Sequence, residues 1–128
     1  MTRAGDGQDG LLATELAVVT PALLLLVMLA VQFGLWAHAT QLADAAATQA
    51  ALAASLPDGT EAHGQEVAAG LLAQAGNLGD PVVAVERGEE LVVVTVTGRA
   101  PRLVPGFSWG VSAQAAAPVE RFIPEGQR

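Results

Sequence analysis

From Leu16 to Trp36 the chain reads LAVVTPALLLLVMLAVQFGLW, 21 residues without a charge, and the uncharged run continues to Asp44. Nothing else in the sequence limits the fold as strongly. As a helix these residues are roughly 30 Å long at about 1.5 Å per residue, the thickness of a bilayer's hydrocarbon core. A helix of that length in a soluble core keeps a polar face. Here Leu23, Leu24, Leu25, Leu26, Val27, Met28 and Leu29 cover every direction about the axis, and Gln32 is the only strongly polar side chain. The expectation is a single transmembrane helix over residues 11–36. Pro21 lies inside it and predicts a bend, because proline removes a backbone donor and crowds the preceding turn. Arg3 precedes the segment and no other Arg appears until Arg87. The positive-inside bias therefore keeps the N-terminus cytoplasmic and exports the rest.

Beyond Trp36 the pattern stays helical and becomes amphipathic. Leu42, Ala45, Leu52 and Leu56 share one face, and Gln41, Asp44, Thr48 and Ser55 share another about a quarter-turn away. No Gly or Pro interrupts Leu35 to Leu56. One continuous helix from about Leu11 to Leu56, roughly 70 Å long, is the simplest outcome. Residues 37–57 are then its exported extension, ended by Pro57-Asp58-Gly59. Residues 58–128 form a small exported domain. Asp58 with Glu61 fits a capping arrangement for a second helix. Its stripe of Val67, Leu71, Leu72 and Leu78 can lie on the first helix, and Gly76-Asn77 and Gly79-Asp80-Pro81 break it.

Strands follow. Val82–Arg87 and Glu90–Thr97 flank Gly88-Glu89, a pair suited to a two-residue type II′ turn. That turn pairs Arg87 with Glu90, Val85 with Val92 and Val83 with Val94. It sends Val83, Val85, Val92, Val94 and Val96 to one buried face. Trp109 to Ala117 predicts a third strand, with Trp109, Val111, Ala113, Ala115 and Ala117 on one side; a two-stranded hairpin alone is marginal. Pro124–Arg128 reads as a frayed tail. The fold class expected is α+β: a long N-terminal helix, a short second helix and an antiparallel sheet of about three strands.

Composition narrows the chemistry. A net charge of −7, with six Arg and no Lys, argues against nucleic acid as a partner, which needs a basic footprint. With no Cys there is no disulfide framework, thiolate nucleophile or Cys-based zinc site. Absence of Tyr leaves few anchors for a ligand pocket. His38 and His63 lack carboxylates at metal-ligand spacing. Glu86, Glu89 and Glu90 read better as a solvated hairpin tip than as an acid–base or calcium cluster. Ser108 and Ser112 have no His–Asp partnership. Gly5-Asp6-Gly7 follows no strand and is no phosphate loop. No enzyme, cofactor, metal or small-molecule substrate is expected. Phe107 and Trp109, beside Pro105-Gly106, form either an exposed contact patch or a part of the core under the hairpin.

The first fifteen residues carry the sharpest signal. A polar leader ends at Gly10; Leu11, Leu12, Ala13, Thr14 and Glu15 follow, then the apolar run. An isolated acid at the mouth of a membrane segment is costly. The plainer account of Glu15 is an interfacial acid stabilised by the positive end of the helix. The arrangement also resembles type IV prepilins, in which a peptidase cuts after a Gly and a Glu stands fifth in the mature chain. Cutting between Gly10 and Leu11 makes Glu15 the fifth residue. Glu15-Leu16-Ala17, Pro21, the Leu block and Gln32-Phe33-Gly34 are similar to the TadE-like pilus assembly proteins of tight adherence (Tad) systems. Three departures are visible: Gln32 stands where that family often has Glu, basic residues after Phe33-Gly34 are missing, and Asp6 and Asp9 in the leader face only Arg3.

The resemblance implies a minor pilin or pseudopilin of an Flp-type pilus, anchored once in a bacterial inner membrane. Its leader, residues 1–10, would be removed by a prepilin peptidase. Its partners would be membrane lipid, other pilins and the Tad inner-membrane assembly platform. The new amine on Leu11 would lie close to a neighbouring subunit's Glu15, a pairing that offsets the cost of each charge at low dielectric. Two other outcomes fit the residues: a signal-anchored envelope protein with a partner-binding exported domain, or a secreted protein cleaved after Ala37-His38-Ala39.

Overall fold

The computed structural model describes residues 4–121; Arg3 and the tail at Pro124–Arg128 lie outside the described residues. Two helices precede a three-stranded sheet: α1 (Ala4–Ser55), α2 (Glu61–Ala75), β1 (Gly79–Arg87), β2 (Leu91–Arg99) and β3 (Gly110–Pro118). The architecture is the α+β class expected. α1 has 52 residues and is about 78 Å long. It begins seven residues before Leu11, because no proline precedes Pro21 to stop the hydrogen-bond ladder. It runs unbroken through Pro21.

The two halves of α1 differ. Residues 10–27 are exposed on every side. Further along, Ala39, Ala43, Ala46, Ala47, Ala50 and Ala54 are fully buried and face α2 and the sheet. This corrects the face expected from hydropathy: Ala45 is exposed, and Leu52 and Leu56 are 52% and 41% exposed. Ser55, expected on the polar side, is buried; its hydroxyl donates to the Leu52 carbonyl, and its own carbonyl accepts from Glu120 N at 2.8 Å. The reason is volume. The sheet brings Val92, Val94 and Val96, all fully buried, against the helix. Methyl-sized side chains let the backbones come close enough to pack without voids, where leucines would not fit.

Gly59 N donates to the Leu56 carbonyl and turns the chain into α2. A Cβ at Gly59 would sit 2.6 Å from the Ala53 and Ala54 carbonyl oxygens, so only glycine fits this close approach. The cap of α2 is Thr60, not Asp58: its hydroxyl accepts from His63 N at 3.1 Å. Gly76, left-handed at φ 66°, ends the helix. The buried face of α2 is Gly64, Ala68 and Leu72. Val67 and Leu71 are only partly covered, and Leu78 packs into the core from beyond the helix.

The sheet is antiparallel in the order β1-β2-β3. Its valine face is the one expected, but the register is offset by two. Val85 pairs with Val94, Val83 with Val96 and Arg87 with Val92. Gly88 N donates to the Leu91 carbonyl at 2.9 Å, so Glu89-Glu90 occupy the turn. A type II′ turn needs positive φ at its first central residue, and Gly88 does not adopt it. A two-residue slip keeps every side chain on its own face, so alternation alone does not separate the two registers. β1 begins at Gly79, earlier than expected, with a register shift between Gly79 and Val82 and Asp80 at φ 46°. In β3, Val111, Ala113 and Ala117 are buried and Ala115 is half-buried.

Candidate functional site

The residues singled out from the sequence fall into two groups along α1. The first is at its start. Gly10, Leu11 and Glu15 are all helical and exposed. The Thr14 hydroxyl donates to the Gly10 carbonyl at 2.9 Å. Among the described residues Glu15 has no hydrogen-bond or ion-pair partner. It lies about three turns inside α1, beyond the first turn to which the helix dipole's stabilisation is largely confined. The plainer account of this acid therefore weakens in the uncut chain. Cutting after Gly10 would bring a helix terminus within about one turn of it.

Pro21 is exposed on the bare half of the helix, and a Cβ at Gly34 would meet nothing within 4 Å. From Gly10 to Ser55 the helix is long and apolar enough to cross a membrane, and only 6% of its most apolar window is buried.

The second group is at Gln32, 1% exposed and the largest fully buried side chain among the described residues. Its amide is satisfied at both ends by the loop that joins β2 to β3. Nε2 donates to the Pro101 carbonyl at 2.8 Å, and Oε1 accepts from Leu103 N at 2.7 Å and, more weakly, from Val104 N at 3.4 Å. Burying an amide without partners is costly; with them it becomes a specific clamp. One turn further on, Trp36 Nε1 donates to the Gly110 carbonyl at 3.2 Å. Trp36 packs edge-on to Trp109 at a centroid distance of 6.1 Å and meets Phe33 at 5.6 Å. Trp109 is half-buried against the long helix, whereas Phe107 is exposed, so the two expected outcomes for this pair are split between them.

In the sequence Gln32 stands out as the only strongly polar side chain of the apolar segment, but its partners do not. The Pro101 carbonyl is 69 residues away and announces itself by no motif.

The other titratable candidates do not converge. His38, His63, Glu86, Glu89 and Glu90 are exposed, as are Ser108 and Ser112. Among the described residues no group of three His, Asp or Glu is placed to hold a metal ion. The hairpin tip is tied to the helices instead: Arg87 N donates to Glu61 Oε1 at 3.0 Å and its guanidinium to the Leu56 carbonyl at 3.2 Å.

Among the described residues, one apolar helix long enough to cross a membrane carries an exposed acid at the head of its apolar run and continues into a small α+β head. The family model described as TadE-like protein matches residues 10–52, about a third of the chain. Over that stretch the chain is similar to TadE-like proteins, a family that suggests a role in Tad pilus assembly. It covers Gly10, Glu15, Pro21 and Gln32-Phe33-Gly34 and ends inside the alanine-packed half of α1. No curated protein and no solved structure matches the chain.

Proposed function

We propose that this chain is a TadE-like minor pilin or pseudopilin that acts in assembling an Flp-type tight adherence pilus. In this reading residues 11–36 cross the bacterial inner membrane once, with the N-terminus cytoplasmic and the α+β head exported. A prepilin peptidase removes residues 1–10. Gly10 suits the cut, since glycine is about 1 kcal/mol poorer than alanine in a helix and eases local unwinding. The freed amine of Leu11 pairs with Glu15 of an adjoining pilin, which gives sliding helices a preferred axial stagger. The work is structural, not catalytic, and the assembly platform and sister pilins are the partners.

The observation that carries this reading is the family match falling on a helix that is exposed on all sides from residue 10 to 27 and bears an acid without a partner among the described residues. Retention of the helix, rather than cleavage after Ala39, is supported by Gln32 and Trp36. Both hold the head by hydrogen bonds, and both would be lost with residues 1–39.

Glu15→Ala tests the pairing. Membrane insertion should persist while co-assembly with partner pilins, read by cross-linking and co-purification, falls strongly. Glu15→Asp should keep part of it. Normal co-assembly of the alanine variant contradicts the pairing.

A further inference from the structure

The loop from Ala100 to Trp109 reads APRLVPGFSW, with one charge in ten residues. Its inner side is fixed. Ala100 and Val104 are buried, Gln32 holds the backbone at Pro101 and Leu103, and a turn closes from Phe107 N to the Val104 carbonyl with Gly106 at φ 85°. Its outer side is apolar and uncovered: Leu103 is 43% exposed and Phe107 49%. A loop exposing large apolar side chains while its backbone is clamped is an interaction surface.

The height of the clamp identifies what it meets. Gln32 is one turn before Trp36, so the loop hangs about 6 Å inside the level of Trp36, where the strongly apolar segment ends. Phe33, 57% exposed, projects from α1 at the same level. Trp36 and Trp109 meet edge-on just above, each an amphipathic ring of the kind that settles at the headgroup boundary. Arg102 in the loop and Arg99 just before it are exposed, and their stems are long enough to carry a guanidinium out to phosphate.

On the membrane-spanning reading above, we infer that the loop of residues 101–109 is a second membrane contact. It enters the headgroup–acyl boundary of the outer leaflet, with Leu103 and Phe107 in the acyl edge and Arg102 on lipid phosphate. Such interfacial insertion reaches about 5–10 Å deep. The head is then held to the bilayer at two points, α1 and the loop, which sets its tilt. Drawing the subunit out of the membrane requires peeling the loop from lipid.

The chain has no cysteine, so single probes can be placed freely. Bimane would be attached in the full chain at Leu24→Cys, Leu103→Cys, Phe107→Cys and Ser112→Cys, in vesicles of phosphatidylcholine and phosphatidylglycerol. Nitroxide lipids quench at shallow or deep positions, and iodide quenches from water. Shallow nitroxide should quench positions 103 and 107 several-fold more than 112, while deep nitroxide quenches 24. If 103 and 107 behave like 112 while 24 stays deep, the loop is out of the lipid and the inference falls with the span intact. Protection of 103 and 107 from both lipid nitroxide and iodide would mean that protein covers them, which also overturns it. If 24 is reached by iodide and not by deep nitroxide, the spanning reading fails and takes the inference with it.

Discussion

α1 solves two packing problems with one backbone. Its residues 10–27 are rich in leucine and valine and are exposed on every side. Its second half, from Ala39 to Ala54, buries alanines and touches everything else. Large apolar residues are more often inside a fold than outside it, so the contrast is unusual. On the proposed membrane span the exposed stretch would meet lipid in every direction, whereas the docked half needs a flat ridge because a valine sheet already supplies the volume. Gln32 stands near the change from one regime to the other, where a polar side chain marks how far the head reaches down the helix.

The largest effect should come from adding bulk to the docked half. Ala50→Leu forces a branched side chain into a fully buried contact and should cost about 1–3 kcal/mol or more. Near-UV circular dichroism of the Trp36–Trp109 pair during unfolding would report it. Ala22→Leu adds the same atoms to the exposed half and should leave head unfolding unchanged. Equal tolerance of the two substitutions would break the comparison.

Gln32→Leu tests the boundary. It leaves the Leu103 N–H and the Pro101 carbonyl without partners and should cost about 1–3 kcal/mol locally. Amide exchange at Leu103 should accelerate while β2 stays protected; unchanged protection at Leu103 would show that the clamp is incidental. The smallest effect is expected at Leu52→Ala. That leucine is 52% exposed, so head stability should move by no more than about 0.5 kcal/mol. A large loss would restore Leu52 to the core and undo the assignment of faces.

The exposed stretch was legible because its uncharged run, with apolar side chains all round the axis, offers no polar face to mark a docked side. The valine face of the sheet was legible for a similar reason, since alternation fixes the face of each residue. The same alternation concealed the register, because the Gly88–Leu91 closure and the expected one differ by a full repeat of two. Leu42 does pack partly against the core, but the rest of the docked face of α1 was misread because hydropathy ranks Leu52 and Leu56 above alanine. Contact with Val92, Val94 and Val96, 38 or more residues further along the chain than any buried alanine of α1, selects for small volume instead. Of the site, Glu15 and Gly10 were visible as an acid and a glycine where an apolar run begins. The partners of Gln32 were not, since a backbone carbonyl in a distant loop has no residue signature.

The central claim is that the apolar helix is a retained anchor, shortened only by its leader. Mass spectrometry of the mature chain, made with and without an active prepilin peptidase, tests it most directly. With the peptidase the chain should begin at Leu11, and without it the leader should remain. A mature chain beginning at Thr40, or a leader that stays intact beside the active peptidase, would contradict the claim.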